Sequence, residues 1–301
     1  MSFQQINQHC YYYHSSVNIG YITNGNTGML VDTGIDKSTS KKVLKELHTR
    51  DLPLTHLFIT HAHTDHYGGA QYIQSNYSVY TLAPVLEEAI MKYPLLEPLY
   101  LLGGNDPFSE VQNKFLQGSP LQVDELITEG EFQAGELLLK AYLLPGHSYH
   151  QLALSYERVL FAADAYFGPE ILSKHGIPFV TDVNKTLDSL RILLQLDVSG
   201  AVPGHGIYEE EFQNSVQANI DYHQNLLTWL TEYIREYPDG ISLEQTIGEM
   251  CRFYQVPADR LAQFLLYRTA CTAYVLALKS QGVISDKIEQ YRWCFYPEPE
   301  D

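Results

Sequence analysis

Basic residues are scarce in this 301-residue chain: 19 Lys and Arg stand against 36 Asp and Glu, for a net charge of −17. Polyanion binding draws on counterion release at clustered cations. The one small cluster, Lys41-Lys42-Lys45, reads as a solvated helix face, so nucleic acid is disfavoured as a partner. Cysteine is also rare. Cys10, Cys251, Cys271 and Cys294 are scattered without paired spacing, which excludes a disulfide framework or thiolate metal site and points to reduced thiols in a cytosolic protein. No apolar run is read as long enough to span a membrane. The stretch Met1 to Cys10 is polar and the first basic residue is Lys37, so neither a secretory signal nor a transit peptide is expected.

What the chain does contain is a concentration of metal-ligand chemistry. Thr60-His61-Ala62-His63-Thr64-Asp65-His66 places four candidate ligands in six residues, directly after the apolar run His56 to Ile59. Imidazole and carboxylate suit a borderline divalent ion such as zinc, and the absence of a nearby Cys favours an open, water-binding site over a closed structural one. The same arrangement recurs. Leu137 to Leu144 runs into Pro145-Gly146-His147, Val159 to Ala163 into Asp164, Ala201-Val202 into Pro203-Gly204-His205, and Met29 to Val31 into Asp32-Thr33-Gly34. If these runs are neighbouring strands, their loops converge at one sheet edge, where open α/β architectures place ligands.

The order HxHxDH, GH, Asp, PGHG resembles the metallo-β-lactamase fold superfamily, and within it the glyoxalase II-like hydrolases, over residues 15 to 206. That resemblance implies a four-layer αββα sandwich holding two divalent ions, zinc first and iron or manganese as alternatives. It implies that His61, His63 and His147 hold one ion, that Asp65, His66 and His205 hold the other, and that Asp164 bridges them. Asp32 matches the VDTG motif whose carboxylate supports the ligands from behind. The diiron flavoprotein branch carries Glu where His63 stands, and the β-CASP nucleases insert a domain where only 40 residues separate Asp164 from His205. Neither branch fits.

Single histidines carry little weight, since a lone His is more often exposed or hydrogen-bonded than a ligand. His9, His14, His48, His175 and His223 are read that way, and His56 as a packed or ligand-supporting imidazole. Gly68-Gly69 reads as close packing at a helix start. Tyr67, Tyr149 and Tyr166, beside the ligands, suggest an aromatic pocket wall.

A length of 301 residues suggests two domains, 1–206 and 207–301. Helices are expected near 38–49, 84–93 and 186–196. The Pro- and Gly-rich stretch 94–130 is a cap near the site, an added subdomain or a surface excursion. After Gly206, helices over 208–237, 241–254 and 258–278 and a hairpin over 283–296 resemble a winged helix, as in the β-lactamase-like protein 2 branch; packing over the site mouth or a homodimer contact is its expected role.

The expected activity is hydrolysis of a thioester, ester or lactone in a small-molecule acyl substrate by a metal-bridging hydroxide, with Asp65 orienting it and passing a proton to the leaving group. A mononuclear iron persulfide dioxygenase and a single-stranded RNA endonuclease are the alternatives. Glutathione recognition is not expected, because the Cys-Gly-Lys-type loop of glyoxalase II is replaced after Asp164 by Ala-Tyr-Phe-Gly-Pro-Glu. The family often has His or Ser where Gln151 stands, four residues after His147.

Overall fold

In the computed structural model, which describes residues 2–299, the chain opens with four antiparallel strands, β1 (Ser2–Gln5), β2 (Cys10–His14), β3 (Ile19–Asn24) and β4 (Thr27–Val31). Helix α1 (Lys37–Thr49) follows, started by Asp36, whose carboxylate accepts from the backbone N–H groups of Ser38 and Thr39. Next come β5 (His56–Phe58), the short α2 (Thr64–Tyr67), α3 (Ala70–Asn76), β6 (Tyr80–Pro84), α4 (Glu87–Lys92), α5 (Leu96–Leu101) and β7 (Glu125–Ile127). β4 to β7 run parallel, completing a seven-stranded sheet in sequential order.

The second sheet contains β8 (Gly130–Ala134), β9 (Leu137–Leu143), β10 (Leu152–Tyr156) and β11 (Val159–Ala163), then α6 (Pro169–His175) and α7 (Val183–Leu193), and finally β12 (Gly200–Pro203). Its order is β12-β11-β10-β9-β8, with only β11 and β12 parallel. Alternation divides each strand between two cores. Met29 and Val31 of β4 face Leu139, Leu154 and Phe161 across the sandwich, while Leu30 between them packs against α1. β11 is apolar throughout because Val159 and Phe161 face the sandwich and Leu160 and Ala162 face the helices behind it. The result is the αββα layering expected.

The remainder is α8 (Phe212–Arg235), β13 (Ile241–Ser242), α9 (Leu243–Phe253), α10 (Leu261–Ser280), β14 (Ile284–Glu289) and β15 (Arg292–Pro297). β15 lies between β13 and β14, so helix, strand, two helices and a hairpin follow winged-helix order. Ser242 and Gln245 form a reciprocal capping box at the start of α9. One apolar cluster continues from Leu144 and Leu160 through Phe212 and Tyr274 to Phe295, fastening this region to the outer face of the second sheet.

Several expectations need correction. The motif-bearing strands are not neighbours in one sheet: β4 and β5 belong to the first, β9, β11 and β12 to the second, and β10 separates β9 from β11. The loops still meet, because all five strands end at the same edge of the sandwich. Pro84 ends β6 and the helix starts at Glu87, since proline before a turn suits a strand end better than a helix interior. The helix expected at 186–196 begins earlier, at Val183, where Asp182 accepts from Lys185 N–H. Finally, α10 is long and apolar enough to cross a membrane by length and composition. Here it packs against α7, α8 and α9.

Candidate metal centre

Backbone irregularity at the sandwich edge aims the functional side chains. Asp32 follows β4 with a φ of 65°, uncommon for a non-glycine residue, and its N–H donates to Phe58 O at 2.8 Å. Ala163, at the end of β11, has a φ of 48°, and the β11–β12 register shifts there. A bulge of this kind re-aims the next side chain, Asp164, into the site. Gly204 has to be glycine, because a Cβ there would lie 1.9 Å from Asp164 Oδ1.

Four histidines have one nitrogen committed outward. Thr60 Oγ1 donates to the Asp32 carboxylate, so toward His61 it is an acceptor, and His61 Nδ1 donates to it at 3.0 Å. His66 Nδ1 donates to Asp32 Oδ2 at 2.8 Å, His147 Nδ1 to Phe179 O at 3.0 Å and His205 Nδ1 to Ser16 O at 2.8 Å. These partners fix the tautomers, leaving each Nε2 with its lone pair toward the centre.

The inward atoms form two joined groups. His63 Nδ1 lies 3.0 Å from His61 Nε2 and 2.9 Å from His147 Nε2, although its single proton can serve only one of them. Asp65, His66 and His205 form the second group, with His205 Nε2 3.6 Å from Asp65 Oδ2. Asp164 reaches both: its Oδ2 is 3.4 Å from His147 Nε2 and 3.4 Å from His205 Nε2, and its Oδ1 is 3.3 Å from His66 Nε2. Both atoms of that last contact are buried with no hydrogen-bond partner. A divalent cation in each group would satisfy these donors, so the residues fit the metals their chemistry implies.

The electrostatics agree. Burial, then the neighbouring His66 and His63, hold His61 well below the usual imidazole range, and burial outweighs Asp164 to bring His147 down to about 4. Burial opposes ionisation of Asp65, but His66 and His205 outweigh it and hold its carboxyl at about 2. Burial likewise opposes charge on His205, yet Asp164 and Asp65 raise it to about 10. The second group attracts positive charge, as a cation site must.

Residues 13–205 match the family model of the metallo-beta-lactamase superfamily. The chain belongs to that superfamily. Its members are generally hydrolases. A probable metallo-hydrolase of Bacillus subtilis, YybB, is 26% identical over 209 residues, covering 65% of this chain and 84% of that protein. A lactamase-like protein of Trichophyton equinum, nscB, is 24% identical over 241 residues, 75% of this chain; the chain spans 61% of that relative's length. An atrochrysone carboxyl ACP thioesterase of Aspergillus fumigatus is 25% identical over 202 residues, 65% of this chain and 52% of its own. Among solved structures, a metallo-beta-lactamase family protein of Thermus thermophilus superposes with a TM-score of 0.73 at 17% identity, covering 94% of both chains. A beta-lactamase domain protein of Burkholderia ambifaria gives 0.73 at 15% identity, covering 99% of this chain and 94% of its own. At these identities the structures show a shared superfamily fold, including the helical C-terminal region.

Other residues of the site have no motif to announce them. Glu87 is buried and accepts from Ala62 N–H, Ser148 Oγ and His150 N–H, tying the His61–His66 loop to the His147 loop across more than 60 residues of sequence. Gln151 Oε1 accepts from Asp164 N–H at 3.3 Å, so the residue standing in the family's His or Ser position braces the central carboxylate. Asn18 donates to Pro203 O and Gly206 O, bracing the His205 loop.

Above the donors opens a cavity of about 460 Å³. Phe167, Ile177 and Phe179 wall one side, Phe115 and Leu116 a second, and Leu266, Tyr267 and Ala270 of α10 a third. The 94–130 segment is thus a cap at the site, held by Leu101, Val111 and Leu116 packing on Leu265. The expected tyrosines are elsewhere. Tyr67 is buried and accepts from Gly118 N–H, Tyr166 is buried beside Phe212, and Tyr149 is 65% exposed. His175, read as an ordinary exposed or hydrogen-bonded histidine, lines the cavity with its ring 5.1 Å from that of Phe167. His56 is a packed residue at the far end of β5, bonded to Thr55 Oγ1, and Gly68-Gly69 packs against Ile35 O and Ser40 Oγ.

Proposed function

We propose that this chain is a two-metal hydrolase that cleaves a thioester, or a related activated ester or lactone, in a small-molecule acyl substrate. The observation that carries the reading is the seven-donor cluster at the floor of an apolar cavity: His61, His63 and His147 would hold one ion, Asp65, His66 and His205 the other, with Asp164 between them. When bound, divalent ions supply Lewis acidity toward a carbonyl oxygen and lower the pKa of water toward neutrality, with zinc the expected ion.

The chain's own side chains do the rest. Asp32, Phe179 O and Ser16 O hold the imidazoles in one tautomer and orientation, so the donor set needs little rearrangement. Asp65 is half-buried at the cavity and ionised, so it could orient an attacking water and pass its proton to the leaving group. The aromatic walls exclude bulk water from the reacting carbonyl.

A two-His-one-carboxylate iron dioxygenase would leave the second group, Asp65, His66 and His205, without a purpose. RNA cleavage is disfavoured because neither Lys nor Arg lines the cavity among the described residues. The thioesterase named among the fungal relatives supports thioester chemistry at 25% identity, and four free thiols fit a cytosolic setting. Metal content by mass spectrometry, with a His63→Ala control and a panel of thioesters, esters and lactones, tests the proposal. Two ions per chain, one lost in the control, and turnover of a panel member are expected. One iron per chain, or two ions with no turnover, overturns it.

A further inference from the structure

We propose that the cavity takes an uncharged apolar acyl or aryl group bearing one hydrogen-bond acceptor, and that Glu97 is the residue that reads that acceptor. The inference deepens the hydrolase reading, on which it rests for the reacting end of the substrate.

The wall chemistry sets the class. Beyond the donor cluster, the cavity is lined mainly by Val17, Phe115, Phe167, Phe179, Leu266 and Tyr267, and by neither Lys nor Arg among the described residues. A substrate with a carboxylate or phosphate against these walls, away from the donor cluster, would meet neither Lys nor Arg to offset the loss of its hydration. An apolar ring or chain is accepted at no such cost, and 460 Å³ accommodates a substituted aromatic group.

Glu97 breaks the apolar lining, as do Ser16, His175 and Gln263, but it is the one of the four with a buried, unpartnered side-chain atom among the described residues. It sits on α5 within the cap, is only 3% exposed, and its Oε2 is buried with no hydrogen-bond partner. An unsatisfied buried carboxyl is costly, so its place in a cavity wall points to a partner that arrives with the ligand. Burial, then Asp65 and Glu87, raise this carboxyl well above the usual range, so the group retains its proton and presents an O–H donor. A neutral donor in an apolar wall selects a carbonyl, ether or hydroxyl oxygen on the ligand and discriminates against the isosteric hydrocarbon.

The test compares matched probes that differ only in the acceptor. Binding of acetophenone and of ethylbenzene to the purified protein is measured by calorimetry, and hydrolysis of the 4-acetylbenzoyl and 4-ethylbenzoyl thioesters of N-acetylcysteamine is followed in parallel. The acetyl-to-ethyl preference is expected to fall about 10-fold in Glu97→Leu and to survive in Glu97→Gln, whose amide N–H also donates. An equal preference in wild type and Glu97→Leu overturns the assignment, as does failure of both probes to bind the wild type. If the Leu variant does not fold, the carbonyl carbon of ¹³C-acetophenone decides: a downfield shift on binding that shrinks in Glu97→Gln is expected, and no shift in the wild type overturns the proposal. A retained binding preference with neither thioester hydrolysed removes the hydrolase reading and leaves the recognition role standing.

Discussion

At the floor of the cavity four of the seven donor side chains are fixed by directed hydrogen bonds, His61 donating to Thr60 Oγ1, His66 to Asp32, His147 to Phe179 O and His205 to Ser16 O. The wall above them, from Phe115 and Leu116 of the cap to Leu266 and Tyr267 of α10, is held by apolar packing through Leu101, Val111 and Leu265. Directed bonds specify position to a fraction of an ångström, whereas apolar packing tolerates exchange of side chains at similar volume. One scaffold can therefore keep its chemistry while the wall determines what is bound. If that division is real, floor substitutions should alter metal content and rate, and wall substitutions should alter affinity alone.

The largest effect is expected at the residue common to both donor groups. Asp164→Asn keeps the shape but loses the charge that reaches His66, His147 and His205. Loss of at least one ion and a fall of about 10³-fold in kcat/KM are expected, read by mass spectrometry and by assay on whichever thioester is turned over. Full metal content with an unchanged rate would show that the carboxylate is not central.

The next largest concerns the wall's support and is read as stability. His223 of α8 is buried and bonded through Nδ1 to Tyr274 OH of α10 at 2.6 Å, and burial lowers its pKa from 6.5 to about 4. The folded state keeps this imidazole neutral while the unfolded chain protonates it, so its contribution is full above pH 6.5 and is lost as pH falls toward 4. That depression corresponds to about 3 kcal/mol. Denaturant titrations at pH 7.5 and 4.5 should show His223→Gln losing less stability on acidification than the wild type, the difference approaching that figure. Parallel curves would refute the assignment.

These two residues also show what could be seen in the sequence. His61, His63, Asp65, His66, His147, Asp164 and His205 were recognisable because metal coordination demands particular side chains, and because each follows an apolar strand that delivers it to one edge. The winged-helix order after Gly206 was legible from helical periodicity and an alternating hairpin. Glu87 was not. Its three partners lie 25, 61 and 63 positions away, and a glutamate at the start of a short helix looks like any solvated acid. The wall was equally hidden, since apolar residues on α10 and in a Pro-rich segment become a cavity only when the two meet. Adjacency to a ligand in sequence was misleading for Tyr67, Tyr149 and Tyr166, because successive residues of a loop or short helix point in different directions.

Behind the ligands, Asp32 offers a finer probe of how rigid the floor must be. Its carboxylate accepts from His66 Nδ1 and from Thr60 N–H and Oγ1, but it is not one of the inward donors. Asp32→Asn should weaken metal retention about 10- to 100-fold, measured by competition with a chelator, the usual scale for loss of a ligand's supporting partner. Rate at saturating metal should recover in large part. Unchanged retention would mean that packing alone orients His66, and the contrast between floor and wall would weaken.

The smallest effect belongs to the wall, and it tests the division most directly. Tyr267→Ala and Leu266→Ala each remove part of an apolar surface at the cavity without touching a donor residue. Partial loss of such a contact is worth about 1 kcal/mol, so KM for an aromatic thioester should rise about 5-fold while kcat changes little. Metal content should match the wild type, because no hydrogen bond that fixes a donor originates on α10 among the described contacts. A drop in bound metal would show that α10 presses on the floor through Phe167 and His175, which line the same space. The two surfaces would then act as one unit, and a change of wall could not alter substrate choice without altering the chemistry beneath it.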